Sequence, residues 1–270
     1  MNKAATRTDN LKSVRELMEE RPNIDNSATF EKLKAIQARL WTKITARFPD
    51  LILDDSTREF QPYMSLDGTA KGHLAGYTSA EIDWAVCAWI GNPKLSFCNL
   101  HITLWMNAET DLPHLAFACG TFPVVFFFLD YIPRVEPTVY PEYLAKYLQP
   151  ANDRFLQMRN ESRLMPFVSQ SVFVREAVSS IGLNFIAQPE TEGVIELFDE
   201  IAEEHFDRWL EWSKNAEKIP KEKQTEMAFR DLAIRRNTAE LDPANIVAER
   251  IYGKELTAKL VRGLWGGTRK

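Results

Sequence analysis

Glycine and basic charge are both scarce in this chain, and each shortage excludes a class of protein. Only 11 of the 270 residues are glycine, and neither a G-x-G-x-x-G fingerprint nor a P-loop is present, so we expect no standard nucleotide site. The formal net charge is −5, whereas nucleic-acid-binding domains are usually basic. We therefore expect no nucleic-acid partner.

Disulfides, targeting segments and long apolar runs are also missing. The three cysteines are Cys87, Cys98 and Cys119. They cannot build a disulfide framework, and their apolar surroundings indicate buried thiols in a reducing compartment. The N-terminus alternates charges without an apolar core, so we expect no signal peptide. The most apolar stretch, Leu112 to Leu129, is interrupted by Pro113 and Gly120 and is too short for a spanning helix. We predict a soluble, cytoplasmic protein without membrane contact.

The order of predicted elements indicates one domain over residues 1–270, since no repeat or linker divides the chain. Helices are expected in residues 1–50, a sheet mainly in 60–190, and helices again in 191–265. Apolar residues recur at helical spacing in five stretches. These stretches are 27–48, 141–158, 191–214, 222–238 and 244–262.

The middle of the chain instead contains short segments rich in β-branched and aromatic residues, which favour strands. These segments are Ile82–Ile90, Phe97–Met106, His114–Cys119, Val124–Asp130, Val168–Val178 and Leu183–Ala187. The connections among the middle strands are too short for crossover helices, so the strands should be antiparallel. The sequence predicts an α/β fold: an α/β/α sandwich with one central, mostly antiparallel sheet of about six strands and helices on both faces.

The strand Phe97–Met106 alternates an apolar face with a polar one. Its polar face carries Asn99, His101, Thr103 and Trp105, because successive strand residues point to opposite sides. One interpretation is a half-exposed face whose polar groups bond to the backbone. The other is a pocket between sheet and helices, lined by a few convergent polar groups.

His114 begins the next strand, with Ala116 and Ala118 on its face. Small side chains beside a histidine leave room for a ligand, or they let a helix approach closely. Whether His101 and His114 share a face depends on the hairpin register, because a shift of one residue reverses the answer.

Metal and nucleophile signatures are absent from the sequence. There is no H-x-x-x-H, CxxC or G-x-S-x-G motif. His205 and Asp207 are two residues apart on a predicted helix, where such side chains do not face each other. We assign no metal ligand. The remaining metal option is an iron held by two histidines and a carboxylate from distant segments.

Several ordered segments together resemble the red chlorophyll catabolite reductase family, which is related to the ferredoxin-dependent bilin reductases. The segments are Ile82–Ile90, Leu112–Leu115, Leu129–Arg134, Tyr140–Leu144, Pro166–Arg175, Arg230–Arg236 and Leu241–Pro243. Each is weakly specific alone, but their order and spacing cover about residues 60–265. The resemblance implies a tetrapyrrole pocket between the sheet and the C-terminal helices, without a bound prosthetic group. It also implies that ferredoxin delivers single electrons to a linear tetrapyrrole while side chains supply protons.

The chain departs from the family pattern at one carboxylate. Ala118 stands where the family has a glutamate, and alanine cannot transfer a proton. The substrate is therefore expected to be another linear tetrapyrrole or planar aromatic, and not the plant catabolite. With no plastid transit peptide, we expect a bacterial homologue. The resemblance places the second family carboxylate at Glu240 or Asp242. This carboxylate either belongs to a plain turn or serves as a proton donor.

The resulting site hypothesis has two parts. The catalytic candidates are His114, Asp242 and His101. The substrate-binding candidates are Asn99, Thr103, Trp105, Ala116, Ala118, Phe128, Ser171, Phe173, Arg175 and Glu240.

The redox partner and the oligomeric state stay open, and so do two other functions. The same fold could serve an oxygenase or another small-molecule enzyme with an aromatic substrate, or a pigment carrier without catalysis. Ferredoxins are usually acidic, so a docking site should be basic. The candidates are Lys214, Lys218, Lys221, Lys223, Arg230, Arg235 and Arg236. A homodimer is also left open.

Overall fold

A computed structural model describes residues 12–13, 16–17, 19 and 24–266. The helical prediction before residue 24 lies mostly outside the described residues. All five helical stretches predicted from spacing are confirmed. The helices are α1 (Ser27–Arg47), α2 (Pro141–Tyr143), α3 (Gln149–Arg159), α4 (Val172–Glu176), α5 (Val194–Lys214), α6 (Lys221–Leu241) and α7 (Ala244–Leu264). A π-helical turn, Leu144–Leu148, joins α2 to α3. No helix among the described residues is long and apolar enough to cross a membrane.

The sheet contains nine strands within the described residues. They are β1 (Ile52–Leu53), β2 (Tyr63–Met64), β3 (Lys71–Thr78), β4 (Ile82–Asn92), β5 (Phe97–Met106), β6 (His114–Thr121), β7 (Val125–Ile132), β8 (Met165–Pro166) and β9 (Leu183–Ala187). Their order is β1-β3-β4-β5-β6-β7-β9-β8, with β2 also paired to β3, and every pairing is antiparallel. The predicted α/β/α sandwich is confirmed, with more strands than expected.

The long strand β3 escaped prediction because it contains two glycines, which are poor strand formers. Both glycines make room for aromatic rings. A Cβ at Gly72 would lie 2.1 Å from the ring of Tyr63, and one at Gly76 would lie 2.3 Å from the ring of Trp84. Both glycines therefore allow aromatic rings to pack against this core strand.

The predicted strand Val168–Val178 is wrong. Residues Val172–Glu176 form α4, and the Ser171 hydroxyl accepts a hydrogen bond from the amide of Val174 at 3.4 Å. Serine at this position supplies an N-cap. The cap and the local turn outweigh the strand preference of the β-branched residues.

One face of the sheet packs against α1 and α5 and forms the main core. Its central residues are at most 1% exposed, and we call this the closed face. They are Leu100, Ile102, Phe117, Cys119 and Phe127. A polar residue of α1, Gln37, is satisfied here because its Nε2 donates to the carbonyls of Ala88 (2.8 Å) and His101 (2.9 Å).

A second core forms on the opposite face near α7. It contains Trp84 and Trp105 from the sheet together with Tyr252 and Leu260 from the helix. The Trp84 indole donates to the carbonyl of Gly263 at 3.0 Å. This core lies at one side of that face, and the middle of the face is built differently.

Candidate functional site

Rows of side chains cross the middle of the sheet on the face opposite α1, which we call the open face. Residues paired across antiparallel strands point to the same side. The central row is Ala88, His101, Ala118, Phe128 and Asn184. The flanking rows are Val86, Thr103, Ala116 and Asp130 on one side, and Ile90, Asn99, Gly120, Phe126 and Ile186 on the other.

The register also decides whether His101 and His114 share a face. Ala118 lies opposite His101, and His114 precedes Ala118 by four residues on the same strand. Because strand side chains alternate, both histidines lie on the open face. The site candidates Asn99, Thr103, Ala116, Ala118 and Phe128 belong to the same surface.

The open face is less covered than the closed face of the same strands. Asn99, His101, Phe126, Phe128 and Asn184 are only half-buried, although they lie in the middle of the sheet. Between them the surface is made of small side chains, Ala116 and Ala118. We call this partly accessible strip of small and aromatic residues the cleft and take it as the candidate ligand site, because small molecules usually bind apolar surfaces that carry a few polar groups.

Four elements bound this cleft. Trp105 and Trp265 lie 6.2 Å apart between ring centroids and close the end near His114. At the opposite end Leu17 packs with Phe126 and Ile186. α7 covers β3 along one side. On the other side Ser179 contacts Asp130, which brings the chain after α4 onto the open face.

Besides Nε1 of Trp105 and Nε2 of His114 at one end, two polar atoms in the middle of this face are buried without a hydrogen-bond partner in the described part of the chain. These two are Oδ1 of Asn99 and Oγ1 of Thr103. Buried polar side-chain atoms are nearly always paired in proteins, so an unpaired one needs an explanation. A ligand that donates hydrogen bonds would satisfy both.

His101 lies between these two atoms on the same strand. Burial lowers the pKa of His101 from 6.5 to about 4, so the ring is neutral near pH 7. A neutral imidazole carries one N–H donor and one acceptor nitrogen. Alternate residues of a strand are about 7 Å apart, so Asn99, His101 and Thr103 form a polar row about 13 Å long.

His114 is fully buried at the end of the cleft, in contact with charged residues. Its Nδ1 accepts the amide of Met106 at 3.0 Å, and its Nε2 lies 3.1 Å from Oδ1 of Asp231. The other oxygen of Asp231 accepts from Nε (3.0 Å) and Nη2 (2.6 Å) of Arg134. The His114 ring also lies 4.5 Å from the ring of Trp105 between centroids, with the two planes tilted by 49°.

This network fixes the protonation states of its members. Burial lowers the pKa of His114 to about 4, and the amide bond to Nδ1 also favours the neutral ring. Burial opposes the charge on Asp231, but His114 and Arg134 outweigh it and lower the pKa of Asp231 to about 2. A cavity of about 190 Å³ adjoins the network, lined in part by Asp83, Asp231 and Arg235. The role of His114 as a proton donor stays a prediction.

The two carboxylate candidates near the C-terminus differ in environment. Asp242 is half-buried at the end of α6, and its Oδ1 accepts the amide of Ala244 at 2.9 Å. Burial raises the pKa of Asp242. Glu240, two residues earlier, is exposed to solvent. A carboxyl group with a raised pKa holds its proton more readily, so Asp242 is better suited to donate one.

The substrate-binding candidates of the wrongly predicted strand lie on or beside α4. Ser171 caps the helix, Phe173 is half-buried, and Arg175 is exposed. The Nη1 of Arg175 donates to the backbone carbonyls of Ser169 (2.8 Å) and Gln170 (3.2 Å). Arg175 thus stabilises its own loop, and the role of Phe173 in ligand binding stays a prediction.

Several of the seven predicted docking residues pair with acidic neighbours. Lys214 pairs with Glu211 at 2.8 Å, Lys218 pairs with Glu109 at 2.9 Å, and Arg235 pairs with Asp83. Another member, Arg230, donates to the carbonyl of Pro133 at 3.0 Å. Lys221, Lys223 and Arg236 are exposed. These seven residues therefore do not form a continuous patch of free positive charge.

The three cysteines are free thiols. Burial raises the pKa of Cys87 to about 12 and that of Cys98 to about 11, so neither is a reactive thiolate near pH 7. No group of three or more His, Cys, Asp or Glu residues that could hold a metal ion occurs in the described ranges.

Sequence reasoning missed three polar residues on or near this face. Asp130 and Asn184 lie in the rows, and Asp231 contacts His114. Asp130 could have been found, because it is a charged residue in phase with Phe128 inside an apolar strand. Asp231 could not, because its approach to His114 depends on how α6 packs against the sheet.

Comparisons with known proteins agree with the fold and with the expected family. The family model described as red chlorophyll catabolite reductase (RCC reductase) matches residues 33–265. A red chlorophyll catabolite reductase of Hordeum vulgare is 26% identical over 190 residues, which cover 64% of this chain and 88% of that protein. The crystal structure of a selenomethionine form of phytochromobilin synthase from tomato, in complex with biliverdin, superposes with a TM-score of 0.73. It is 13% identical and covers 87% of this chain and 83% of its own. The resemblance expected from the ordered segments is confirmed.

Proposed function

Because the chain belongs to the red chlorophyll catabolite reductase family, we propose that it reduces a linear tetrapyrrole bound in the cleft of the open face. The observation that carries this proposal is the cleft itself: small and aromatic side chains, with two unpartnered polar atoms, in the middle of a sheet. A planar, multi-ring ligand can lie flat over Ala116 and Ala118. The tomato enzyme of the same fold holds biliverdin, which supports this ligand class.

The length of the polar row favours an extended ligand over a small aromatic one. Asn99, His101 and Thr103 are spaced over about 13 Å, so one ligand must be long to reach all three. The unpartnered oxygens of Asn99 and Thr103 accept hydrogen bonds, and the pyrrole and lactam N–H groups of a linear tetrapyrrole donate them. His101 in the middle can hold a ring nitrogen or carbonyl.

Reduction of one double bond consumes two electrons and two protons. We assign the electrons to an external one-electron donor of the ferredoxin class, as the family resemblance implies. We assign one proton to Asp242, whose pKa is raised by burial, and the second to solvent water, because the open face is only half-buried. His101 orients the ligand next to Ala118, where the family glutamate is missing. The ligand is for this reason proposed to differ from the plant catabolite.

The test is anaerobic absorbance spectroscopy with biliverdin as the probe. The purified chain should shift the biliverdin spectrum saturably, and a reduced ferredoxin system should then bleach the long-wavelength band. Binding without bleaching would instead indicate a pigment carrier. Oxygen-dependent turnover would indicate an oxygenase, and an unchanged spectrum in every arm would contradict a tetrapyrrole site.

A further inference from the structure

Asp130 is a buried carboxylate on the open face that the proposed reaction does not use. It is 0% exposed and lies in one row with Thr103 and Ala116. It is the one carboxylate in the three rows that form the floor of the cleft. Burial raises the pKa of Asp130 from 3.8 to about 6, so keeping an ionised group there is costly. Such a cost indicates that the carboxylate has a specific partner.

That partner is Ser179. The backbone amide of Ser179 donates to Oδ2 of Asp130 at 2.8 Å, and the Ser179 hydroxyl donates to Oδ1. Both carboxylate oxygens therefore hold one residue of the connection between α4 and β9. Hydrogen bonds to an ionised acceptor are stronger than neutral ones.

The chain after Ser179 passes closely over the same carboxylate. A Cβ at Gly182 would lie 2.4 Å from the side chain of Val178 and 3.1 Å from Oδ2 of Asp130. Only glycine fits this approach without displacing a neighbour. The segment 171–182, which carries α4 and Phe173, is thus held at the side of the cleft by Asp130, while its Ile181 packs into the main core.

We propose that Asp130 is a positioning residue: through Ser179 it holds the segment 171–182 against the open face and so sets the width of the cleft for a planar ligand. This inference rests on the proposed function for the identity of the ligand. We assign Asp130 no direct contact with the ligand, because Ser179 already donates to each of its oxygens. Loss of the clamp should weaken ligand binding through the displaced wall.

The test compares three variants with the wild-type chain. Asp130→Asn keeps an acceptor for the Ser179 amide and can donate to its hydroxyl, so biliverdin affinity should stay within about twofold. Asp130→Ala removes both bonds and should raise the Kd by about tenfold, whereas Ser179→Ala keeps the amide bond, removes only the hydroxyl bond and should raise the Kd by about threefold. Since Ser179 lies on a connection outside the core strands, Ser179→Ala keeps the test valid if Asp130→Ala fails to fold.

Hydrogen exchange of the amides in 177–182 supplies a second measurement that needs no ligand. Faster exchange in Ser179→Ala, with slow exchange retained in Asp130→Asn, supports the clamp. Unchanged exchange and unchanged affinity in Ser179→Ala overturn it. A wild-type chain that binds no biliverdin overturns the proposed function, while the exchange data still decide whether Asp130 holds the segment.

Discussion

The two faces of the same four strands, β5, β6, β7 and β9, differ in burial and in hydrogen bonding. On the closed face Leu100, Ile102 and Phe127 are at most 1% exposed and fill the core under α1 and α5. On the open face His101, Phe128 and Asn184 are half-buried, and buried polar atoms lack partners. One face is optimised for packing, which stabilises the fold. The other face is less tightly packed and leaves polar atoms without hydrogen bonds, which is typical of a surface that binds a ligand.

The sharpest test of this contrast compares two adjacent phenylalanines of β7. Phe127 stacks on Phe198 with ring centroids 4.6 Å apart, so Phe127→Ala should lower the free energy of unfolding by about 3–5 kcal/mol. Phe128→Ala on the open face should lower it by only about 1 kcal/mol, but should weaken biliverdin binding by about tenfold. Urea unfolding and absorbance titration measure the two effects. Equal destabilisation by both variants would remove the distinction between the faces.

Acid should destabilise the protein, because three histidines are kept neutral by burial. The pKa values of His101, His114 and His205 are each lowered from 6.5 to about 4. The unfolded chain therefore binds protons below pH 6.5 that the folded chain does not bind until about pH 4. Stability is full above pH 6.5 and is lost as the pH falls toward 4.

The size of this loss is roughly 3 kcal/mol for each fully buried ring, His114 and His205. His101 adds less because it borders the cleft. Asp130 works in the opposite direction, because its pKa is raised to about 6 and its contribution is lost as the pH rises from 3.8 to 6. Urea unfolding at half-unit pH steps measures the net slope. A free energy of unfolding that is flat between pH 6.5 and 4.5 would contradict neutral buried histidines.

A third prediction separates the two carboxylates of the α6–α7 junction. Asp242→Asn keeps an acceptor for the Ala244 amide but removes the acidic proton, so the rate of biliverdin reduction should fall about 100-fold. Binding should change little. Glu240→Gln is the matched control, since Glu240 is exposed on the same turn, and its rate should stay within about twofold. The reverse order of effects would assign the family carboxylate to Glu240.

The smallest effect distinguishes an unpartnered hydroxyl from a partnered one. Thr103 Oγ1 is buried without a partner in the described structure, whereas Thr121 Oγ1 lies 2.9 Å from the Cys98 sulfur. Thr103→Val should therefore raise the stability of the ligand-free chain by about 1 kcal/mol, while Thr121→Val lowers it by a similar amount. Thr103→Val should also weaken biliverdin binding. If both variants were more stable than the wild-type chain, the missing hydrogen-bond partner of Thr103 would not indicate a ligand site.

Local sequence patterns predicted the elements whose side chains repeat regularly. β5 was correct from residue 97 to 106 because its alternation is strict, and this alone placed Asn99, His101 and Thr103 on one face. β3 was missed because its two glycines accommodate the rings of Tyr63 and Trp84, which come from other elements. α4 was misassigned because a serine cap outweighed strand propensity.

Only the part of the candidate site that lies on a single strand could be predicted from the sequence. That His101 and His114 share a face depends on the β5–β6 register, and the sequence leaves that register open. The contacts of His114 with Asp231 and of Asp130 with Ser179 join residues distant in sequence. Such contacts depend on tertiary packing, and no local pattern encodes them.

The most direct test of the open face as a ligand site is a crystal structure of the chain grown with biliverdin. We predict a tetrapyrrole lying over Ala116 and Ala118, with hydrogen bonds to Oδ1 of Asn99 and Oγ1 of Thr103 and Phe128 beside its rings. Biliverdin bound at another surface, or an open face filled only by ordered water at saturating biliverdin, would contradict the account.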